Sequence, residues 1–458
     1  MQEFVDSIGS WVWGPVTIVL LVGTGLYLTV RLRFIQLFRM WLSLRIASGV
    51  DAEQQKEGDL SQFGALTLAL SAAIGNGNIA GVATAIALGG PGAVLWMWVT
   101  ALVGMATVYA STTLALAFRH HDPERGYVGG PMYYIEQGLG PRWKPMAKMF
   151  AFCAVLAAFG TGNMAEANSV ADTLEFSLRD IIGYTATDSS VFSVKLAIGL
   201  VYAGLVWLVI VGGVKRIGQV VSRLVPLMFL VYVGSALVVL VIKADAIPGA
   251  FALIFTDAFS GTAAVGGFTG ASVMAAIQFG VARGVFSNEA GLGTTPMAMA
   301  AARTAEPVRA GLVAMNGPLF DTLIVCTITA LVIITTGVWQ TGISGSELTT
   351  MAFNSAVPDL GKLAVTVSLL FFSFSSVLGW SYYGDRGTGY LFGEGAILKY
   401  RRLFCLLLPI GAVMKLELIW GLCDIANGLM AIPNLIAILL LSPLVVRLTR
   451  RYFSPSVS

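Results

Sequence analysis

The apolar stretch at residues 66–91 is interrupted in its middle by residues that disfavour a helix. The interruption reads Gly-Asn-Gly-Asn at residues 75–78. Glycine costs about 1 kcal/mol in a helix interior, and asparagine side chains compete for backbone hydrogen bonds. The flanks are apolar enough to lie in a bilayer, where non-helical backbone persists only inside protein or beside a water-filled cavity. The sequence therefore predicts a helix broken at mid-membrane, whose free amides and carbonyls can bind charged solutes.

The composition places the whole chain in a membrane. Of 458 residues, 56% are hydrophobic and 12% are charged, whereas soluble domains carry about a quarter of charged residues. The polar intervals between apolar runs are short, which leaves no soluble domain. A dinucleotide-like pattern (Gly75, Gly77, Ala80) follows no strand, so it does not indicate nucleotide binding. We expect contact with the lipid bilayer, no nucleic-acid partner and no organic cofactor.

Eleven apolar runs are long enough to span a bilayer, which takes about 20 residues. They cover residues 11–31, 62–89, 92–118, 145–176, 192–213, 217–242, 270–300, 310–337, 360–382, 403–421 and 424–446. A basic amphipathic segment at residues 34–47 is expected on the inner membrane surface. The predicted fold class is an all-α polytopic membrane protein.

The charges of the loops predict the orientation of the chain. Loops that alternate along the chain are arginine-rich, including residues 31–45, 119–125 and 386–402, and the loops between them are acidic or nearly neutral. Because positive charge marks the cytoplasmic side, we expect the N-terminus outside and the C-terminus inside the cell membrane. Acidic residues precede the first apolar run and arginines follow it, which is the reverse of a secretory signal.

A second span, at residues 270–300, is interrupted in the same manner. It carries Gly284, the run Ser-Asn-Glu-Ala-Gly at 287–291, and Gly293. The two interrupted spans lie five apart, so they cross the membrane in opposite directions. This arrangement is typical of secondary transporters with inverted repeats. We expect repeats at residues 61–245 and 246–450, an additional N-terminal span within 1–60, and a tail at 451–458.

The interrupted spans supply candidate binding groups. Near Gly75, Asn76 and Gly77, a half-helix N-terminus at the membrane centre suits a substrate carboxylate. The inner half ends near Ile74, where free carbonyls suit a cation. The alternative to a binding site is a glycine-rich face that packs against another helix, since Gly77 and Gly81 have the spacing of small residues at helix contacts.

Three charged residues near these spans are candidates for a gate or a brace. Arg283 is expected outward of the second interruption, paired with an acidic residue. Glu289 is expected at the start of the inner half-helix, where a carboxylate complements free amides. Asp321, deep in the eighth span, is either functional or a polar brace.

Four blocks of sequence resemble the sodium:alanine symporter family, also called the alanine or glycine:cation symporters. They are GNGNIAGVATAIALGGPGAVLWMWVTALVGM, GNMAEANSVAD at 162–172, RGVFSNEAGLGTTPMAMAAA at 283–302 and FSSVLGWSYYGDR at 374–386. The blocks cover nearly the whole chain in the family's order. The resemblance implies the five-plus-five inverted repeat of the leucine-transporter fold. It also implies Na⁺-coupled uptake of a small neutral amino acid, such as alanine or glycine, across a bacterial or archaeal cell membrane.

The resemblance also assigns roles to single residues. It implies a sodium site of carbonyl and hydroxyl oxygens from Ser71, Ile74, Phe372, Ser375 and Ser376. Trp380 matches the residue that closes over the substrate, although an interfacial anchor is the alternative. Asn288 matches a substrate contact, Phe286 beside it is expected to limit the size of the pocket, and Ser376 is expected at the substrate as well.

Glu166 departs from the family pattern, which usually has glutamine there, and Asn76 stands where threonine is common. A carboxylate in such a site must pair or bind a proton. Glu166 is therefore expected to bind the substrate ammonium, to select a more cationic substrate or to couple transport to protons. The alternative is a protonated side chain that acts as glutamine would. A proton-coupled carrier stays open, whereas a membrane enzyme lacks zinc-type spacing and a channel suits paired breaks less well.

Overall fold

The computed structural model describes residues 7–9, 12–49, 57–182, 187–260, 273–414 and 417–454. Its α-helices are α1 Pro15–Arg31, α2 Ile35–Phe38, α3 Met40–Ala47, α4 Gln62–Ala73, α5 Ala80–Gly89, α6 Ala93–Ala117, α7 Lys144–Phe159, α8 Glu166–Ile182, α9 Asp188–Ile210, α10 Gly213–Ile242, α11 Ile247–Ser260, α12 Val273–Asn288, α13 Thr295–Met299, α14 Pro307–Ala314, α15 Thr327–Thr336, α16 Gly345–Ala356, α17 Leu360–Phe392, α18 Ile397–Val413 and α19 Glu417–Phe453.

Shorter helical segments complete the fold. Three-residue α-helical turns are Pro131–Tyr133 and Asn316–Pro318, and 3₁₀ turns are Asn76–Asn78, Pro141–Trp143, Ala244–Ala246, Val338–Thr341 and Glu394–Ala396. π-helical segments are Tyr134–Gly138, Gly160–Ala165 and Leu319–Cys326. Two short antiparallel strands, β1 His120–Asp122 and β2 Gly126–Val128, form a hairpin. The predicted helical class is confirmed, with this hairpin as its exception among the described residues.

Membrane-length helices account for most of the predicted spans. Seven helical segments of the described chain are long and apolar enough to cross a bilayer, and α4 with the segment Asn76–Gly89 forms an eighth, bent by 62°. The seven are Ala93–Ala117, Pro141–Leu178, Asp188–Ile210, Gly213–Ile242, Pro307–Thr336, Leu360–Phe392 and Asp424–Phe453. α1, with 17 residues, is a shorter apolar helix.

Two predicted boundaries are wrong. α17 continues to Phe392 instead of ending at residue 382, because its polar end is paired inside the protein: Asp385 accepts from Arg401 at 2.9 Å. The last two helices are divided before residues 422–423, since α18 ends at Val413 and α19 begins at Glu417. The extended backbone of Met414 ends α18 there.

Two helices lie in connections for which no helix was predicted. α11 packs against α6, where the Gly92 amide donates to Asp257 at 3.1 Å. α16 packs against α5, and Thr349 donates to the carbonyl of Ile79 at 2.9 Å. Both therefore cover the ends of the central helices. In the most apolar stretch of α6, 67% is buried inside the protein, whereas in that of α9 only 22% is buried. α6 therefore lies in the centre of the molecule and α9 at its periphery.

The arginine-rich helix ends gather on one side of the molecule, called here the basic face. Arg119, after α6, donates to the carbonyl of Ala302 beyond α13 at 2.7 Å. Arg386 of α17 donates to the carbonyl of Arg125 at 2.9 Å. These contacts join the hairpin region to three separate helices, α6, α13 and α17. The predicted amphipathic segment forms α2 and α3 on this side, packed against α14 through a Ser43 hydrogen bond to Leu312.

Candidate functional site

The first interruption releases backbone groups from helical hydrogen bonds. The Gly75 amide donates to the Asn78 side-chain oxygen at 3.0 Å, not to the carbonyl of Ser71 four residues earlier. The Asn78 amide donates to the carbonyl of Gly75 at 3.2 Å, which leaves the Ile74 carbonyl without its helical donor. Within the described chain, Ser71 and Ile74 therefore offer carbonyl oxygens of the kind that broken helices use to bind a cation.

The second interruption lies between α12 and α13, where backbone of positive φ replaces the helix. Glu289 has φ 55°, Gly291 98° and Gly293 93°. Side chains hold this loop: the Asn434 amide group donates to the carbonyl of Gly291 at 2.8 Å, and the Ala290 amide donates to the Asn288 side chain at 2.9 Å. Both predicted interruptions are confirmed.

The two interruptions meet in the interior. A Cβ added at Gly77 would lie 3.3 Å from the Phe286 ring. Asn78 donates to one oxygen of Asp321 at 2.7 Å, and Ser287 donates to the other at 2.8 Å. Asp321 is fully buried, and it connects the two broken spans as a brace would. Gly81 has no neighbouring atom within 4 Å of an added Cβ, so Gly77 and Gly81 do not form a tight packing pair.

Glu166 lies beside the first interruption. It follows a π-helical turn that places the side chain inward, and it is buried. A Cβ added at Gly75 would lie 3.1 Å from one Glu166 carboxylate oxygen and 3.2 Å from the Ser376 hydroxyl. Glu166 is also close to the backbone of Asn76 and to Ser373.

Two acceptor atoms at this point have no donor among the described residues. They are the second oxygen of Glu166 and the side-chain oxygen of Asn76, whose amide group donates to Ser169 at 2.7 Å. Buried polar atoms are nearly always paired in folded proteins. Oxygens that can only accept require a donor or a cation. The arrangement therefore fits an ammonium group or a sodium ion.

The proposed sodium ligands on α17 are only partly gathered. The Ser376 hydroxyl lies 3.4 Å from the carbonyl of Ala72, at the end of α4. The Ser375 hydroxyl instead donates to the carbonyl of Phe372 at 2.9 Å and contacts the Met228 sulfur at 3.2 Å. Ser376 therefore faces the interruption, while the Ser375 hydroxyl and the Phe372 carbonyl are hydrogen-bonded to each other in this structure.

Trp380 and Asn288 are buried beside the interruptions. The Trp380 ring lies edge-on to Tyr383 at 5.6 Å, and its base packs against Gly162 of the π-helical turn. With 2% of its surface exposed, Trp380 is not an interfacial anchor. Asn288 donates to Thr322 at 3.1 Å, so part of its hydrogen-bonding capacity supports the loop.

Of the two other charged candidates, Arg283 lies in α12 before the second interruption and Glu289 lies within it. The partner expected for Arg283 is Asp424, at 3.8 Å, and the backbone of Asp424 also accepts from Trp13 at 2.9 Å. Glu289 does not begin a half-helix, because α12 ends directly before it and α13 begins six residues later. Its carboxylate instead accepts from Thr294, the residue before α13, at 2.5 Å.

The sequence predicts no site role for three residues of this region. Asp424 lies 141 positions from Arg283 in the sequence, which carries no signal of their contact. Ser373 and Tyr202 have hydroxyls without a hydrogen-bond partner in the described chain, and both lie near Glu166. A search for donors that could serve an intramembrane carboxylate would have drawn attention to Ser373, which directly follows the predicted ligand Phe372.

Comparisons with known proteins agree with this geometry. A family profile described as the sodium:alanine symporter family matches residues 1–456. The sodium/alanine symporter AgcS of Methanococcus maripaludis is 45% identical over 457 residues, covering 98% of this chain and 97% of that protein. The probable sodium/glutamine symporter GlnT of Bacillus subtilis is 36% identical, covering 99% and 91%.

A solved structure shares the fold. The crystal structure of MhsT in complex with L-phenylalanine matches with a TM-score of 0.60 at 15% identity, over 84% of this chain and 90% of that one. This confirms the leucine-transporter fold. The chain is therefore a multi-pass membrane protein that couples amino-acid transport to a cation, and not an enzyme. It belongs to the sodium:alanine symporter family.

Proposed function

We propose that the chain takes up a small neutral amino acid, such as alanine or glycine, together with Na⁺ by alternating access. The observation that supports this most is the meeting of two interrupted spans beside the unpaired oxygens of Glu166 and Asn76. This region can bind both ends of a zwitterion, because backbone amides there carry partial positive charge and the unpaired oxygens carry negative charge. The repeats at 61–245 and 246–450 would rock around it, with the basic face in the cytoplasm of the cell.

The substrate would lie between the two interruptions. Its carboxylate would accept from the Gly77 amide, which has no backbone acceptor among the described residues, and would replace Glu166 as the partner of the Asn76 amide. Its ammonium would donate to Glu166. The Phe286 ring, packed against Gly77, would limit the side chain to a small one. Trp380 and Ser376 would close the remaining side.

Sodium would connect α4 with α17. The carbonyls of Ser71 and Ile74 are free of helical donors, and Ser376 faces them. Ser375 would turn from Phe372 toward the ion and complete the set, as neutral oxygens suit a monovalent ion that must leave again. One Na⁺ crossing 100 mV supplies about 2.3 kcal/mol, and a tenfold gradient adds about 1.4. A single ion therefore sustains accumulation of a few hundredfold.

Glu166 favours a second candidate, a carrier coupled to protons. A buried carboxylate with an unpaired oxygen can bind a proton on one side of the membrane and release it on the other. This candidate requires uptake in response to a pH gradient when Na⁺ is absent.

Uptake by purified protein in vesicles tests these proposals. A panel of labelled amino acids, including alanine, glycine, glutamine and lysine, would be offered under an inward Na⁺ gradient, under K⁺ in its place, and under a proton gradient alone. We expect uptake of alanine or glycine with Na⁺ only. Equal uptake with K⁺ would contradict sodium coupling, and uptake driven by protons alone would favour the second candidate.

A further inference from the structure

A cavity on the basic face is lined by four arginines. It has a volume of about 910 Å³ and lies between the end of α1, the start of α2 and the end of α19. Arg31, Arg33, Arg39 and Arg450 line it. An adjoining cavity of about 370 Å³ shares Arg31 and Arg450 and adds Arg447. The cavity lies apart from the interruptions, and none of these residues has a role in the proposed transport site.

A sharp turn brings these charges together. Arg33 and Phe34 both have φ of 56°, a left-handed conformation that costs free energy in any residue with a Cβ. The turn reverses the chain after α1, so that Arg31 and Arg39 face the same cavity. The strained turn therefore lies at the same point of the fold as the cluster of positive charges.

These arginines have no acidic partner in the described chain. The ion pairs between described residues involve other side chains. Arg31 lies 5.8 Å from the Tyr27 ring and Arg39 lies 4.4 Å from the Phe453 ring, contacts that leave the positive charge uncompensated. A cavity with several positive charges and no carboxylate attracts an anion.

The remainder of the cavity and its surroundings are apolar. Ile35 and Val446 line it and are buried. Phe38 also lines it and has 77% of its surface exposed, and Trp41 on the next turn has 74%. Exposed aromatic residues beside basic ones are typical of a segment that lies at the boundary of headgroups and acyl chains.

We propose that this cavity binds the headgroup of an anionic phospholipid, with phosphate oxygens on Arg31, Arg39 and Arg450. Guanidinium groups pair with phosphate through parallel hydrogen bonds. Basic pockets between membrane helices on the cytoplasmic side are suited to such headgroups. The acyl chains would follow the apolar surface that includes Phe38. A lipid explains why the cationic and apolar residues are adjacent, which a soluble anion would not.

Native mass spectrometry of the full chain in detergent tests this proposal. Phosphatidylglycerol and phosphatidylcholine with the same acyl chains would be added in equal amounts. We expect on the order of 100-fold greater retention of phosphatidylglycerol, at about five-fold for each of the three arginines at the phosphate, decreasing with salt. In the double variant Arg31→Gln/Arg450→Gln the preference should fall roughly 25-fold, at about five-fold for each arginine. The matched control is Arg142→Gln/Arg402→Gln, two exposed arginines outside the cavity.

Each outcome decides the proposal. Equal retention of the two lipids by the wild-type chain would overturn it, whether or not the variants fold. An equal loss of the preference for phosphatidylglycerol in the cavity variant and in the control variant would overturn it as well. Displacement of the bound lipid by millimolar inorganic phosphate would assign the cavity to a soluble anion and contradict a lipid site. Persistence of the lipid in phosphate, with loss only in the cavity variant, supports the proposal.

Discussion

Glu166 is the residue on which the recognition of substrate depends most. It is buried, and one of its oxygens lacks a donor in the described chain. If this oxygen receives the substrate ammonium, the hydrogen bond is assisted by charge, and such bonds are roughly twice as strong as neutral ones.

Substitution of Glu166 by glutamine should weaken this hydrogen bond while keeping the shape of the side chain. We expect Glu166→Gln to carry the same amino acid with a KM raised about tenfold, which corresponds to about 1.4 kcal/mol. Uptake measured from pH 5.5 to 8.5 provides the comparison, and Glu347→Gln, in the first turn of α16, is the control. An unchanged KM and an unchanged substrate profile at every pH would exclude a special role for Glu166.

Arg283 and Asp424 form a contact on the side opposite the basic face, and both are partly exposed. We expect Arg283→Gln and Asp424→Asn each to raise KM by up to about fivefold, since exposed pairs contribute up to about 1 kcal/mol. The charge-exchanged variant Arg283→Asp/Asp424→Arg should recover part of the loss. Additive effects of the two single substitutions would indicate that the residues act independently.

At the scale of elements, the contact of α4 with α17 determines whether the sodium oxygens can meet. Gly379 of α17 makes this close approach possible, because an added Cβ would lie 2.7 Å from the Ala72 Cβ and 2.8 Å from the Ser71 hydroxyl. The Ser71 hydroxyl could rotate away, but the Cβ and the backbone nitrogen of Ala72 could move only if α4 itself shifted.

We therefore expect Gly379→Ala to separate the two helices and to raise the Na⁺ concentration for half-maximal uptake roughly tenfold. Overpacking of this kind costs about 1–3 kcal/mol. Gly234→Ala in α10 is the control, as an added Cβ there meets no atom within 4 Å. If both variants respond to Na⁺ as the wild-type chain does, α4 and α17 do not share a sodium ion.

The elements also differ in how well the sequence predicts them. Both interruptions were predictable, since clustered glycine and asparagine oppose a helix wherever they lie. The π-helical turns before Glu166 and around Asp321 were not, because they depend on packing with neighbouring helices. The polar end of α17 was missed because partners distant in sequence, such as Arg401 for Asp385, compensate its charge. Boundaries set by such contacts are not visible in local hydropathy.

At the scale of the whole molecule, a backbone network closes the basic face. The Arg303 amide donates to the carbonyl of Leu60 at 2.7 Å, which joins the start of the first broken span to the end of the second. Arg119 donates to the carbonyls of Ala302 at 2.7 Å, Ala300 and Glu57 at 3.3 Å. Three helices, α4, α6 and α13, must therefore separate together before this side can open.

Loss of the Arg119 guanidinium should loosen this closure. We expect Arg119→Gln to accelerate amide hydrogen exchange in residues 57–61 and 300–304 at least several-fold, because the free energy of local opening is lowered. It should also weaken apparent Na⁺ affinity, since the state that binds Na⁺ from outside becomes less populated. Arg142→Gln is the control. Exchange rates equal to those of the wild-type chain would show that Arg119 does not hold the face closed.

The most direct test of the central claim is equilibrium binding of the best-transported amino acid to purified protein, in Na⁺ and in K⁺. We predict saturable binding that requires Na⁺ in the wild-type chain. Gly77→Val, which fills the space against Phe286, should lose this binding while keeping its thermal unfolding temperature. Gly81→Val, one turn along α5 in open space, should bind normally. Undiminished binding by Gly77→Val would place the substrate elsewhere and contradict a site between the two interruptions.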